Sequence, residues 1–199
     1  MSNQRISKEQ ILQTAQQIIF DKGVKSLTFQ SLAKALQIRS QSLYNYFRNL
    51  SDLIDQVGTI FMDNLYQQVI EGLVGLSGKA AFRRYAEIAH NYFESQGKMV
   101  ELIYDVHNFS HDSQFYQAMA RVLDLLNKLV ASVHLRHMHN DSYVQTLISS
   151  VLGFTVIEIM GFLPLDSVKR QQQFEELLDL QLSEIVELPN KMERKRATQ

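Results

Sequence analysis

The sequence contains no cysteine and no tryptophan, and only two prolines and eight glycines among 199 residues. Without cysteine there is no disulfide, no thiol nucleophile and no thiolate zinc site. The chain therefore suits a reducing compartment. The shortage of proline and glycine leaves little turn chemistry. With the leucine, glutamine, alanine and isoleucine content, it points to an all-α protein. Residues 1–9 are polar and hold no apolar run of the signal-peptide kind. The longest apolar stretch, 147–165, is interrupted by Ser149, Ser150, Thr155 and Glu158, and Pro164 breaks it near its end. A spanning helix needs about 20 apolar residues and tolerates a central carboxylate poorly. The stretch reads instead as a helix buried on most sides, with no membrane partner and a cytoplasmic location.

Catalytic signatures are missing as well. No nucleophile motif, phosphate loop or paired-carboxylate pattern appears. The glycines at 72, 75 and 78 lack the preceding strand of a nucleotide-binding loop. His134, His137 and His139 fall where a helix is expected to end, with no cysteine beside them, and read as an exposed turn rather than a metal site. His107 and His111 read the same way. No catalytic residue, metal or cofactor is expected, and the chain is not read as an enzyme.

What is present is ordinary in bulk and uneven in detail. The apolar fraction of 45 % and charged fraction of 21 % belong to a folded globular chain rather than a disordered one. The net charge of −1 hides a division. Residues 1–50 carry seven Lys/Arg against two Asp/Glu, a surplus of five positive charges; residues 51–199 carry 13 against 19. A basic head on an acidic body suits a chain that meets a polyanion at one end.

Helix signals are dense in that head. Ser7 with Gln10 forms a capping box flanked by Ile6 and Ile11, and Gly23 stops the helix. Thr28 starts a second helix over 28–36, Ser40 caps a third over 40–47, and Asn49 caps a fourth that runs to about residue 72, with Asp52 in its first turn. Further helices are expected over 80–95, 99–107, 113–134, 142–163 and 166–188. The last carries an apolar stripe of Phe174, Leu177, Leu178, Leu182, Ile185 and Val186. The polar segment 190–199 reads as a disordered tail.

Two short helices joined by a tight turn after a longer one are the layout of a helix-turn-helix. At these residues the chain resembles the TetR family of bacterial repressors. The matching run is Ile11-Leu12, Ala15, Gly23, Leu27-Thr28, Leu32-Ala33, Leu36, Ile38, Ser42-Leu43-Tyr44, Tyr46-Phe47, Asn49 and Leu53, about a quarter of the chain. Three positions depart from the family pattern. Gln37 replaces a turn glycine, Gln41 a small residue or proline, and Leu50 a lysine that usually lies near phosphate.

The resemblance implies a three-helix DNA-binding domain over 1–50 and a helical effector-binding and dimerisation domain over 51–189. It implies a ligand-responsive repressor acting as a homodimer on a near-palindromic operator in double-stranded DNA. Thr28 at a helix N-terminus suits a phosphate. Arg39, Ser40, Gln41 and Ser42 open the recognition helix, and the amides of Gln41 and Asn45 suit adenine edges. Tyr44 and Tyr46 reach toward phosphate, and Lys25, Lys34 and Arg48 add sequence-independent attraction. Structural roles stand beside these: Ser40 and Thr28 as caps, Tyr46 as packing.

In the acidic body, Phe61, Tyr66, Tyr85, Tyr92, Tyr104, Phe115, Phe154 and Glu158 are candidates to line a pocket for a small hydrophobic or aromatic effector. Ordinary core, and for Glu158 pairing with a neighbouring side chain, are the alternatives. Val151, Phe154, Phe174, Leu178, Leu182 and Ile185 are the candidate dimer interface, or else the closure of the monomer core. A rival reading is a small-molecule-binding or enzymatic helical protein whose helix-turn-helix is vestigial.

Overall fold

The computed structural model describes residues 6–164 and 166–186. Several helices start where a side chain satisfies the orphan amide groups of the first turn. Helix α1 (Lys8–Lys22) opens on the expected capping box, with Ser7 Oγ accepting from the Gln10 N–H at 3.1 Å and Gln10 Oε1 accepting from the Ser7 N–H at 2.9 Å. Helix α2 (Phe29–Ala35) opens on a second box, between Thr28 and Ser31. Asn49 Oδ1 accepts from the Asp52 N–H at 2.8 Å and caps the 24-residue helix α3 (Leu50–Leu73). Helices α4 (Gly78–Ser95), α5 (Glu101–Asp105), α6 (Gln114–Ala131), α7 (Asn140–Ile159) and α8 (Ser167–Leu182) follow. The two-residue strands β1 (His134–Leu135) and β2 (Ile185–Val186) pair antiparallel, with His134 opposite Val186 and Leu135 opposite Ile185. The fold is all-α apart from this ladder.

The chain divides into two compact units. The first comprises residues up to Gln68 together with Asn91–Leu123. Ile11, Ala15 and Ile19 of α1 are fully buried there with Leu32, Leu43, Leu53 and Val57. The second comprises Val69–His90 and the described residues from Asp124 on. Its core holds Phe82, Tyr143, Leu147, Val151, Phe174, Leu178, Leu182 and Ile185. Each such apolar side chain contributes about 1.5–3 kcal/mol of burial. Burial pushes the Tyr143 phenol up to about 12, with the negative charge of Glu184 adding to it. The phenol is neutral at physiological pH and donates to the Gln181 carbonyl at 3.2 Å.

Several expected helix ends move, among them those of the helix expected over 99–107, whose α-helical part is Glu101–Asp105 between 3₁₀ turns at Gly97–Val100 and Val106–Asn108. Helix α6 stops at Ala131 and α8 at Leu182, short of the expected 134 and 188. Ser132 Oγ donates to the Leu129 carbonyl at 2.6 Å and Ser183 Oγ to the Leu180 carbonyl at 2.7 Å. These bonds satisfy last-turn acceptors, and the two exits then pair as β1 and β2. Helix α7 ends at Ile159, before the expected Leu163, because Gly161 takes φ +76° and its N–H closes on the Glu158 carbonyl. The segment 40–47 is a 3₁₀ helix, Ser40–Asn45, rather than a longer α-helix. The tail 190–199 lies outside the described residues.

Helix α7 also differs in burial. Its most apolar window has a mean hydropathy of 1.3, and only 28 % of that window is buried. By length and composition it is the one helix among the described residues able to cross a membrane. It packs one face, through Tyr143, Val144, Leu147, Val151 and Thr155, and leaves Ile157 and Ile159 exposed.

Candidate nucleic-acid interface

The helix-turn-helix is built within the first unit. Leu36 caps the C-terminus of α2, and Gln37 takes φ +55°, the one positive φ at a non-glycine position among the described residues. The turn therefore has the left-handed conformation that makes glycine the easy choice there. Ile38 N–H closes it on the Ala33 carbonyl at 3.0 Å. The chain then enters the 3₁₀ helix, with Ser42 N–H bonded to Arg39 and Tyr46 N–H to Leu43. Leu43 and Phe47 are buried and anchor this segment from below.

Around those anchors Arg39, Gln41, Tyr44, Asn45 and Arg48 are exposed, and Ser40 and Ser42 are half-buried. Tyr44 is 60 % exposed, with its ring edge-on to Phe29 at 4.9 Å. Among the described residues the amides of Gln41 and Asn45 make no hydrogen bond, so both are available to base edges. Lys25, Thr28 and Lys34 are exposed. Thr28 caps α2, as the alternative reading had it, with Oγ1 accepting from the Ser31 N–H. Tyr46 is half-buried and its hydroxyl donates to the Ile6 carbonyl at 2.6 Å. Its donor is therefore spent inside the domain.

The segment is fixed at its far end by Asp52. The Asp52 carboxylate accepts from the Arg48 N–H at 2.8 Å and from Gln56 Nε2 at 3.0 Å. The backbone bond from Arg48 is the main cause that holds this carboxyl below its ordinary value of 3.8. The Arg48 guanidinium, although its side chain is 89 % exposed, pairs with the same carboxylate, Nε to Oδ2 at 3.6 Å. The face is thus positive and polar, with two uncommitted amides at its centre, on a rigid apolar footing. The model of the bacterial regulatory proteins of the tetR family matches residues 11–57, which span this whole construction.

Residues 11–57 of the chain are a TetR-family DNA-binding region.

A curated relative, the HTH-type transcriptional repressor KstR2 of Mycolicibacterium smegmatis, is 29 % identical over 94 residues. The match covers 41 % of this chain and 46 % of that protein, so the chain spans about half the length of this curated relative. Two solved structures share the fold. A protein of unknown function from Rhodococcus sp. RHA1 has a TM-score of 0.79 at 15 % identity, covering 94 % of this chain and 100 % of that one. The ketosteroid transcriptional regulator KstR2 of Mycobacterium tuberculosis has a TM-score of 0.66 at 15 % identity, covering 90 % and 95 %.

The candidate effector residues are spread over both units. Phe61, Tyr92 and Phe115 are buried in the first unit, where Tyr66 is half-buried and Tyr104 is exposed on α5. The Phe61 and Tyr92 rings lie 5.3 Å apart, and the Tyr92 hydroxyl donates to the Phe61 carbonyl at 2.6 Å. These two line a cleft of about 320 Å³ with Phe20, Met99 and the amides of Gln13, Gln16, Gln17, Asn64 and Gln96. Tyr85 is buried in the second unit, where Phe154 and Glu158 are half-buried.

Glu158 has neighbours of its own chain. Its Oε1 accepts from Arg170 Nε at 2.9 Å, and Oε2 faces His90 Nε2 at 3.3 Å without hydrogen-bond alignment. Thr155 Oγ donates to the Val151 carbonyl, so the 2.9 Å contact with His90 Nδ1 has the imidazole as donor. His90 stacks on Phe174 at 4.1 Å. His90 is missed by sequence reasoning, because nothing local to α4 marks it as the mate of groups on α7 and α8.

The candidate dimer residues Val151, Phe174, Leu178, Leu182 and Ile185 are each at most 5 % exposed in the single chain, which places them in its own core. Phe154 is half-buried against His90 and Phe174. The exposed apolar residues of the same region are others: Ile157, Met160, Phe162, Val168 and Leu180. Of the histidines, His137 pairs with Glu184 at 3.2 Å, and His111 stacks on Tyr116.

Proposed function

We propose that this chain is a ligand-responsive transcriptional repressor that acts as a homodimer on a near-palindromic operator. The observation that carries the reading is the exposed face of Arg39, Gln41, Tyr44, Asn45 and Arg48 held on buried Leu43 and Phe47. In this reading Gln41 and Asn45 specify sequence, while Lys25, Thr28, Tyr44 and Arg48 hold phosphate. The family relationship and the name of the KstR2 relative, a transcriptional repressor, support it. The effector is a small hydrophobic or aromatic molecule. The cleft lined by Phe61, Tyr92 and Phe20 supplies aromatic material for such a site, and the solved KstR2 is named as a ketosteroid regulator. The protein acts in the cytoplasm, where the operator is.

The homodimer forms through α7 and α8. Phe162 and Val168 are each 74 % exposed, and Met160, Ile157 and Leu180 are exposed as well. An apolar patch of this kind marks an interaction surface. A dimer is what a palindromic site requires, since two recognition segments must meet two half-sites. An effector that binds best to a conformer with the wrong half-site spacing releases DNA in proportion to its differential affinity.

The test is a titration of the purified full chain with operator DNA, in the presence and absence of a panel of apolar and aromatic ligands. Two chains per operator, with affinity lowered by at least one ligand class, is the expected result. One chain per site, or an affinity that no ligand alters, refutes the dimer or the switch respectively.

A further inference from the structure

Glu101 reaches across 77 residues of sequence to the turn that precedes α2. It is the first residue of α5, and its Oε2 accepts from the Val24 N–H at 3.0 Å. Both carboxylate oxygens lie against Gly23, where a β-carbon would sit 2.5 Å from Oε2 and 2.9 Å from Oε1. Gly23 also has φ +87°, so two independent requirements select glycine there. The segment that carries Glu101 is itself pressed onto α1. Gly97 has φ +55°, and a β-carbon on it would come within 3.1 Å of the Phe20 carbonyl. Met99, Val100 and Leu102 are buried, so the carboxylate stands on a packed base.

The bond to Val24 feeds directly into the DNA-facing part of the unit. Ser26 N–H bonds to the Gly23 carbonyl and Leu27 N–H to the Val24 carbonyl, forming the 3₁₀ turn. Ser31 Oγ donates to the Ser26 carbonyl at 2.9 Å, while Thr28 and Ser31 complete the cap of α2. A chain of hydrogen bonds therefore runs from a side chain of α5 to Thr28 and the start of α2.

We infer that Glu101 is a positioning residue for operator binding, setting the angle at which α2 and the recognition segment are presented. This rests on the DNA-binding reading above. Glu101 touches no base or phosphate; it acts through the Val24 amide.

The charge of Glu101 makes the test discriminating, because removing a carboxylate favours polyanion binding. Glu101→Gln removes the charge and keeps an acceptor oxygen for the Val24 N–H. Glu101→Ala removes both. The full chain and both variants are titrated, well below their unfolding temperatures, with operator DNA and with an unrelated duplex. Amide exchange at 24–27 is read in parallel. The expected result is operator affinity about tenfold weaker for Glu101→Ala, with unchanged or tighter binding to the unrelated duplex and faster exchange at Val24. Glu101→Gln retains operator affinity and slow exchange. Equal operator affinity of Glu101→Ala and the parent overturns the proposal. So does a parallel loss on both DNAs, or equal loss in both variants. Failure of the parent itself to prefer any operator refutes the DNA-binding reading instead.

Discussion

Replacing Gln37 by glycine should stabilise this protein, although it removes a side chain and adds none. Gln37 sits at φ +55° in the turn of the helix-turn-helix, is exposed, and presents its N–H to the Lys34 carbonyl at 3.3 Å. A left-handed conformation costs a residue with a β-carbon about 1–2 kcal/mol. Glycine escapes that cost but brings back about 0.4–1 kcal/mol of unfolded-chain entropy. The difference leaves Gln37→Gly more stable by about 0.5–1 kcal/mol. For a chain of this length that is a rise of about 1–4 °C in melting temperature. Gln37→Val tests the same reasoning in reverse, because a β-branched residue tolerates positive φ worst; it should lose at least 1 kcal/mol. Urea titrations of the three proteins, followed by far-UV circular dichroism, give the ordering. Gln37→Gly below the parent, or Gln37→Val equal to it, refutes the account of the turn.

Further outcomes follow from particular contacts. Gly58→Ala should cost about 1–2 kcal/mol, because its methyl would lie 2.6 Å from the buried Phe115 ring, and overpacking of about 1–3 kcal/mol outweighs a helix-propensity gain of about 1. Gly72→Ala should be near neutral, since its methyl meets only the terminal carbon of Ile88, which can change rotamer; thermal melts of both variants check the contrast. Asp52→Asn should remove about 1 kcal/mol at neutral pH. The Asp52 carboxyl is lowered on folding, so its contribution is fully present above its unfolded value of 3.8 and is lost as pH falls below that toward the folded value. The difference between parent and variant should therefore shrink in acid, read by urea midpoints across pH. Phe162→Asp places a charge in the exposed apolar surface of the α7–α8 region and should convert the sedimenting species to a single 23.0 kDa chain.

The helix-turn-helix was legible because its signals are short. Ser7 with Gln10, the start at Thr28, Asn49 with Asp52 and the Gly23 stop each act over three or four residues, and each appears in the structure. The positive φ at Gln37 falls where the family pattern has a turn glycine. Illegible features are those that join distant parts of the chain. Val24 and Glu101 are 77 residues apart, and His90 and Thr155 are 65. Nothing at either end of these pairs announces the other. The stripe of Phe174, Leu178 and Leu182 shows a different limit. Periodicity identifies an apolar face but not whether the same chain or a second one covers it, and here the same chain does. The exposed apolar residues sit instead at Met160, Phe162 and Val168, where the pattern breaks.

The central claim is that the face carrying Gln41, Asn45 and Arg48 reads an operator. The most direct measurement is binding of the purified chain to DNA flanking its own gene, over a range of salt, with Gln41→Ala and Arg48→Ala beside it. The account predicts saturable binding to a palindromic site that weakens steeply with salt. Gln41→Ala should cost about 1–3 kcal/mol at its own base pair while leaving the salt slope intact. Arg48→Ala should weaken all sequences alike and lower the slope by about one. Absence of binding at low salt, or binding to which neither substitution makes a difference, would contradict it.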